Sequence, residues 1–378
     1  MVTLAEVLRK YGPAYLQKYG KSMPATHRQA LALLQRCGSG ELGYSLYRCT
    51  HCGTSHRVAR SCGNRHCPAC QIYKMEQWQQ RQMQRLLPCP YFLVTFTVPQ
   101  ELRGLIRSNQ KLGYEAMFQA SVGSLRKLLA DPDVLGISQL GLLAVLHTWG
   151  RTLEYHPHIH MLVPAGGLVD EEHSPEGGRS RKVRRWQASP AQFLAPVKAI
   201  SVIYRAKMRD ALQKAGLAET IPPALWESDW VVHSQAVGDG RDCLRYLARY
   251  VFRVAISNRR IVSCDDGRVV FLYCKSGSRR WRRMTVDALE FIRRFLQHVL
   301  PSGFLRVRHY GFLHPQGTPT ADETGRLIEE YYGGLVERLP VEPTTPLQSP
   351  VMLCPDCGQP MELVRPQYAS LLALSDTG

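Results

Sequence analysis

Apolar and polar positions along this chain follow two periods, and each period predicts an element. Residues 4–36 keep a helical period that breaks between Gly20 and Pro24, which predicts two short helices. "QIYKMEQWQQRQMQRLL" is polar with helical character, whereas "PYFLVTFTVP" at 90–99 is β-branched and aromatic between prolines and predicts a strand. A helical span of about 101–130 follows. "LGLLAVLHTW" and "HPHIHMLVPAGG" are apolar runs separated by the short polar "GRTLEY", the pattern of an antiparallel hairpin.

Residues 170–192, with "DEEHSPEGGRSRKVRR", are polar and rich in Gly and Pro and predict a mobile loop. Helices are expected near 196–215, over 242–255 and at about 285–299, a hairpin around Asp266-Gly267, and a strand near 304–313. The Pro/Thr-rich tail from about 315 predicts loose order except around Cys354 and Cys357. The predicted fold class is α+β. No internal repeat is evident.

Charge narrows the partners. The 378 residues hold 48 Lys and Arg against 31 Asp and Glu, a net charge of +17, and such an excess favours a polyanion, nucleic acid before an anionic membrane. No stretch approaches the ~20 apolar residues of a spanning helix, and the start resembles an amphipathic helix rather than a signal peptide. The expectation is a cytoplasmic protein with no membrane partner. The twelve cysteines agree, because six form three C-x-x-C pairs at 49/52, 67/70 and 354/357, a spacing of metal knuckles rather than of a secreted disulfide framework.

Cys49-x2-Cys52 and Cys67-x2-Cys70 approximate a zinc ribbon, in which four thiolates hold one structural zinc. Cys62, His66 and His56 in the same stretch are alternate ligands. On a strand, His156, His158 and His160 all face one way, so their imidazoles could converge on one metal ion. Imidazole suits zinc, iron or copper, whereas a phosphodiester substrate favours magnesium or manganese. On a helix, Tyr246 and Tyr250 fall at i, i+4 on one side, at the border between an apolar arc (Cys243, Leu247, Val251, Val254) and a basic arc (Arg245, Arg249, Arg253). Arginines there could clamp phosphate. "RSRKVRR" (179–185) and "RRWRR" (279–283) add basic clusters, and Arg279, Arg280, Trp281 and Arg282 combine phosphate contact with base stacking.

Taken in order, "SCGNRHCPACQ", "HPHIHMLVPAGG", "YLARYVFRVAISNRRI" and "EFIRRFLQHVLPSGFLRVRHYGFL" resemble the rolling-circle insertion-sequence transposases of the IS91 type, which are two-tyrosine HUH endonucleases. The resemblance covers about residues 10–315, and "CPDCGQPM" is similar to the family's tail. It implies an HUH-type antiparallel sheet flanked by helices (86–315), preceded by helices and a small zinc-ribbon-like domain (1–85) and followed by a loosely ordered tail with a C-x-x-C knuckle (316–378). It implies that His158 and His160 hold a catalytic Mg2+ or Mn2+, with His156 a weaker third ligand. Tyr246, the first choice, and Tyr250 would attack single-stranded DNA at element ends and target, leaving a 5′-phosphotyrosine and a free 3′-hydroxyl. Many relatives carry Thr-His after the second tyrosine, whereas this chain has Val251-Phe252. A replication initiator or relaxase would share that core. A non-catalytic zinc-ribbon DNA-binding protein is the alternative of a different class.

Overall fold

The computed structural model describes residues 2–173, 181–252, 255–275, 277–278, 280–334 and 351–367. Helices α1 (Leu4–Tyr19) and α2 (Ala25–Gln35) form where the period predicts them, separated by a 3-10 turn over Gly20–Ser22. Thr3 starts α1 through a reciprocal box: the Glu6 amide donates to Thr3 Oγ1 at 3.2 Å and the Thr3 amide to Glu6 Oε2 at 2.7 Å. Strands β1 (Tyr44–Cys49) and β2 (Ser55–Ala59) pair antiparallel, and α3 (Ile72–Met83) follows.

Next come β3 (Tyr91–Thr97), α4 (Gln100–Ser108), α5 (Gln110–Leu129), β4 (Leu142–Trp149), β5 (Tyr155–Pro164), β6 (Gly166–His173), β7 (Arg181–Ala188), α6 (Val197–Lys214), β8 (Val232–Ala236) and α7 (Arg241–Phe252). The chain continues through β9 (Ile261–Asp265), β10 (Arg268–Cys274), β11 (Trp281–Asp287), α8 (Ala288–Leu296), β12 (Val307–Tyr310), α9 (Ala321–Tyr331) and β13 (Met361–Gln367). The fold is α+β. Its centre is a five-stranded antiparallel sheet in the order β12-β4-β5-β3-β8.

Strand alternation splits this sheet between two cores. Phe92, Val94 and Phe96 of β3, Leu142, Ala144 and Leu146 of β4, and Ile159, Met161 and Val163 of β5 face α4, α5 and α6. Each of the Phe, Val, Leu, Ile and Met side chains among them contributes roughly 1.5–3 kcal/mol. The opposite parity, with Tyr91, Leu143, Val145 and Leu162, packs with Trp78 of α3 and with Cys243, Leu247 and Val251 of α7. His147, His158 and His160 share that second parity and so lie on the α7 face. A further core joins α1 and α2 to α8 and to the sheet of β9, β10 and β11.

The structure differs from the sequence reading in two places. Residues expected as a mobile loop at 170–192 include the ribbon β6–β7, anchored by buried Leu168 opposite Trp186 and by the ion pairs Asp170–Arg184 (2.6 Å) and Glu171–Arg185 (2.5 Å). With charges on both faces, such strands leave no hydrophobic alternation to read. Helix α3 packs on α7, with Trp78 and Phe252 ring centroids 5.9 Å apart. Within the tail expected to be loosely ordered, α9 is a regular helix with Ile328 buried beside Phe312 and Trp186, and β13 pairs antiparallel with β1.

Candidate metal and nucleophile site

The β4–β5 ladder sets His147 directly opposite His158, and His160 follows two residues on along the same face. The three imidazoles are buried, and each offers a ring nitrogen within 4.8 Å of the others. The hairpin turn that fixes this register places Leu153 at φ 66, a conformation disfavoured by ~1–2 kcal/mol for a side chain bearing Cβ. Its carbonyl accepts from Gln297 Nε2 at 2.8 Å and from His298 Nε2 at 3.2 Å, which hold the strained turn in place.

Hydrogen bonding orients the rings. His158 Nδ1–H donates to the His156 carbonyl at 2.7 Å, so its Nε2 carries a lone pair, and that Nε2 lies 2.6 Å from His147 Nδ1. Thr95 Oγ1 stands 3.0 Å from His160 Nδ1. Among the described residues, His147 Nε2 and His160 Nε2 are buried without a hydrogen-bond partner, which is costly in a protein interior unless something else satisfies them. Burial holds His147 and His158 well below the usual imidazole range, with neighbouring histidines adding to the effect, and burial pulls His160 down to about 4. Three clustered neutral imidazoles, two of them held at Nδ1 by the His156 carbonyl and by Thr95, fit a metal cation.

His156 is not one of the three. Its ring centroid lies 5.1 Å from that of His158, and it serves the site through its carbonyl. The third member is His147, whose position in a run expected to be plain strand carried no local signal; only its pairing with His158 across the hairpin exposes it.

Helix α7 lies across this face. Cys243, Leu244, Leu247, Ala248 and Val251 are its buried side, leaving Tyr246 40 % exposed and Tyr250 half-buried at the border. The Tyr250 ring is 4.3 Å from that of His147 and 6.0 Å from that of His160, Tyr246 is also 6.0 Å from His160, and the tyrosine rings are 4.6 Å apart. Burial, and then Tyr250, push the Tyr246 phenol above its ordinary value, while Arg151 pulls it down. Buried Arg306, which sequence reading missed, fixes the helix to the sheet. It donates from Nη1 to the Val251 carbonyl at 2.8 Å, and its own carbonyl accepts from the Leu146 amide at 2.8 Å.

A cleft of about 760 Å3 opens onto His147, His158, Tyr246 and Tyr250. Arg151, Arg260, Lys275 and Trp281 also line it, and Trp281 is 58 % exposed. Arg280 and Arg282, its neighbours in sequence, are exposed. Arg245 and Arg249 are exposed on α7, Arg245 in an ion pair with Asp242 at 2.7 Å. Arg253, Val254 and Arg279 lie outside the described residues.

The cysteines form two groups, and neither is the expected quartet. Cys67 and Cys70 join Cys62 and Cys37, with Cys37 Sγ 3.6 Å from both Cys67 and Cys70 and Cys62 3.7 Å from Cys70. Cys49 and Cys52 instead meet Cys354 and Cys357. The spacing of 49/52 and 67/70 suggested one ribbon, but the pairing of β1 with β13 carries the first knuckle away from the second. His66 is no ligand either. Its ring bonds Asn64 Oδ1 at 3.1 Å and accepts from the Leu300 amide at 3.1 Å.

Known proteins share this organisation. A family described as a transposase zinc-binding domain matches residues 7–98, and one described as a putative transposase matches residues 141–320. The chain is 36% identical over 332 residues to the putative transposase y4qJ of Sinorhizobium fredii, spanning 82% of this chain and 80% of that protein. It is 28% identical over 296 residues to the transposase for insertion sequence element IS801 of Pseudomonas savastanoi pv. phaseolicola, spanning 73% and 68%. No solved structure matches. The protein is thus of the transposase class, a DNA-processing enzyme with a zinc-binding region. Within that class, the chain belongs to the IS91 family of insertion-sequence transposases. No helix among the described residues is long and apolar enough to cross a membrane.

Proposed function

We propose that the protein nicks and rejoins single-stranded DNA at element ends by an HUH-type tyrosine mechanism, in rolling-circle transposition. The observation that carries this reading is the placement of two tyrosines of one helix, Tyr246 and Tyr250, against three buried, clustered imidazoles. His147, His158 and His160 would hold the cation, and the unpartnered Nε2 atoms of His147 and His160 are the structural reason to assign it there. Mg2+ or Mn2+ is the choice that phosphodiester chemistry favours, Mn2+ tolerating imidazole better than the hard, oxygen-seeking Mg2+. Such an ion supplies Lewis-acid polarisation of the scissile phosphate.

In this reading a single strand lies along the cleft, its phosphates near Arg151, Arg260 and Lys275 and a base on the Trp281 face. Arg280, Arg282, Arg245 and Arg249 extend the basic path. Tyr246, exposed at the rim, attacks first: its Oη–P bond forms as the P–O3′ bond breaks, the phenol proton leaves, and the 3′-oxygen is released as a hydroxyl. The phosphotyrosine keeps the energy of the broken diester, so a 3′-hydroxyl can reverse the step and join DNA without an external source. Tyr250 offers a second nucleophile for a second strand. The reading carries a cytoplasmic place of action, with DNA and reduced thiols together.

The test is cleavage of end-labelled single-stranded oligonucleotides covering the element's ends, with Mn2+ or Mg2+, on a denaturing gel. A protein-linked band lost with chelator and in the Tyr246→Phe/Tyr250→Phe variant is expected. Cleavage without an adduct would replace the reading with a water-using nuclease, and binding without cleavage would replace it with a DNA-binding protein.

A further inference from the structure

The third C-x-x-C pair lies beyond both matched families, at Cys354 and Cys357. Its local backbone repeats that of Cys49 and Cys52. In the first knuckle the Cys49 amide donates to the Thr54 carbonyl at 2.9 Å and the Gly53 amide to the Cys49 carbonyl at 3.1 Å; in the last, the Cys354 amide donates to the Gln359 carbonyl and the Gly358 amide to the Cys354 carbonyl, both at 2.8 Å. Gly53 and Gly358 take the same left-handed conformation, φ 74 and 73, which a residue without Cβ adopts freely. Two identical turns thus present their thiols to each other.

The four sulfurs close on a common centre. Cys49 Sγ lies 3.5 Å from Cys357, and Cys52 lies 3.6 Å from both Cys354 and Cys357. A disulfide needs ~2.0 Å, whereas thiolates at ~2.3 Å from a tetrahedral zinc stand ~3.8 Å apart. The separations match the edges of that tetrahedron. Around them β1 pairs antiparallel with β13, and His56 Nε2 of β2 stands 3.6 Å from Asp356 Oδ2.

We propose that Cys49, Cys52, Cys354 and Cys357 bind a second structural zinc ion, distinct from one at Cys37, Cys62, Cys67 and Cys70, that clasps β13 onto the N-terminal zinc-binding region. Cys49 and Cys357 are 308 residues apart in sequence, so this ion closes most of the chain into one loop. Loops of that length are entropically expensive to close, and a metal clip is a means of holding them. The last strand is then part of the zinc-binding region, and its loss opens β1 to solvent.

The test counts zinc released from the denatured full-length chain by a colorimetric chelator. Two ions per chain are expected, falling to one in Cys354→Ser/Cys357→Ser and to one in Cys62→Ser/Cys70→Ser. One ion in the unaltered chain, or two retained in Cys354→Ser/Cys357→Ser, overturns the proposal. Should the serine variants fail to fold, Cys357→His in the cobalt-substituted chain gives the same decision. Half of the tetrathiolate absorption should move to higher energy, as one sulfur gives way to nitrogen, and an unchanged spectrum overturns the site.

Discussion

His147 and His158 face each other across the β4–β5 ladder with ring nitrogens 2.6 Å apart. Since His158 Nδ1 is committed to the His156 carbonyl, the short contact sets the Nε2 lone pair of His158 against His147 Nδ1. His147→Ala should therefore cost nicking on the order of 10²-fold or more, because even outer-shell partners of metal ligands are worth 10–100-fold. His156→Ala, which keeps the carbonyl, should cost less than about tenfold. Single-turnover cleavage at saturating Mn2+ compares the two; equal losses would remove His147 from the site.

The Tyr246 phenol is held above its ordinary value, so it is protonated throughout the neutral range. If the phenolate attacks, its fraction grows tenfold with each pH unit below that pKa, and the single-turnover rate should climb with pH from about 6 to 9. Measured in Tyr250→Phe, where one nucleophile remains, a flat profile would mean that deprotonation does not limit the step.

Burial lowers His298 to about 3 and His160 to about 4, against an unfolded value of about 6.5. Between those limits the unfolded chain binds more protons than the folded one, so stability rises with pH there and is lost as pH falls from about 6.5 towards 3. Each unit of displacement is worth about 1.4 kcal/mol. Thermal melts without added Mn2+ or Mg2+ should show a steep drop in Tm below about pH 6, which His298→Gln should reduce; a constant Tm down to pH 4 would contradict the buried, neutral state of these rings.

Arg306 connects the end of α7 to β4 through Val251 and Leu146. A charged donor on a carbonyl is worth about 1.5–3 kcal/mol, and here it sets the distance between tyrosine helix and histidine strand. Arg306→Ala should lower the nicking rate about tenfold while oligonucleotide affinity changes less than twofold, with Arg306→Lys restoring part of the rate. Equal loss of binding and rate would make Arg306 a general stability residue.

Local patterns revealed most of the elements that build this site. The apolar runs around "GRTLEY" gave the β4–β5 hairpin, and strand alternation alone put His158 and His160 on one face. Helical spacing put Tyr246 and Tyr250 on one side of α7, with Cys243, Leu247 and Val251 inward. What escaped depends on pairing across the chain. His147 becomes a candidate only through its register with His158, Arg306 only once α7 is packed, and the cysteine quartets only when β13 meets β1. Three C-x-x-C pairs with Cys37 and Cys62 admit several groupings, and spacing cannot choose among them. The β6–β7 ribbon was hidden by charges on both faces.

The most direct measurement is peptide mapping of the protein after reaction with a single-stranded end oligonucleotide. Trypsin cuts after Arg245, Arg249 and Arg253, so Tyr246 and Tyr250 fall in separate tetrapeptides, YLAR and YVFR. After nuclease trimming, a nucleotide mass joined through a 5′-phosphate to one of these peptides, YLAR before YVFR, is the predicted result. Cleaved DNA with both tetrapeptides unmodified, and its new 5′-phosphate free in solution, would contradict the tyrosine mechanism.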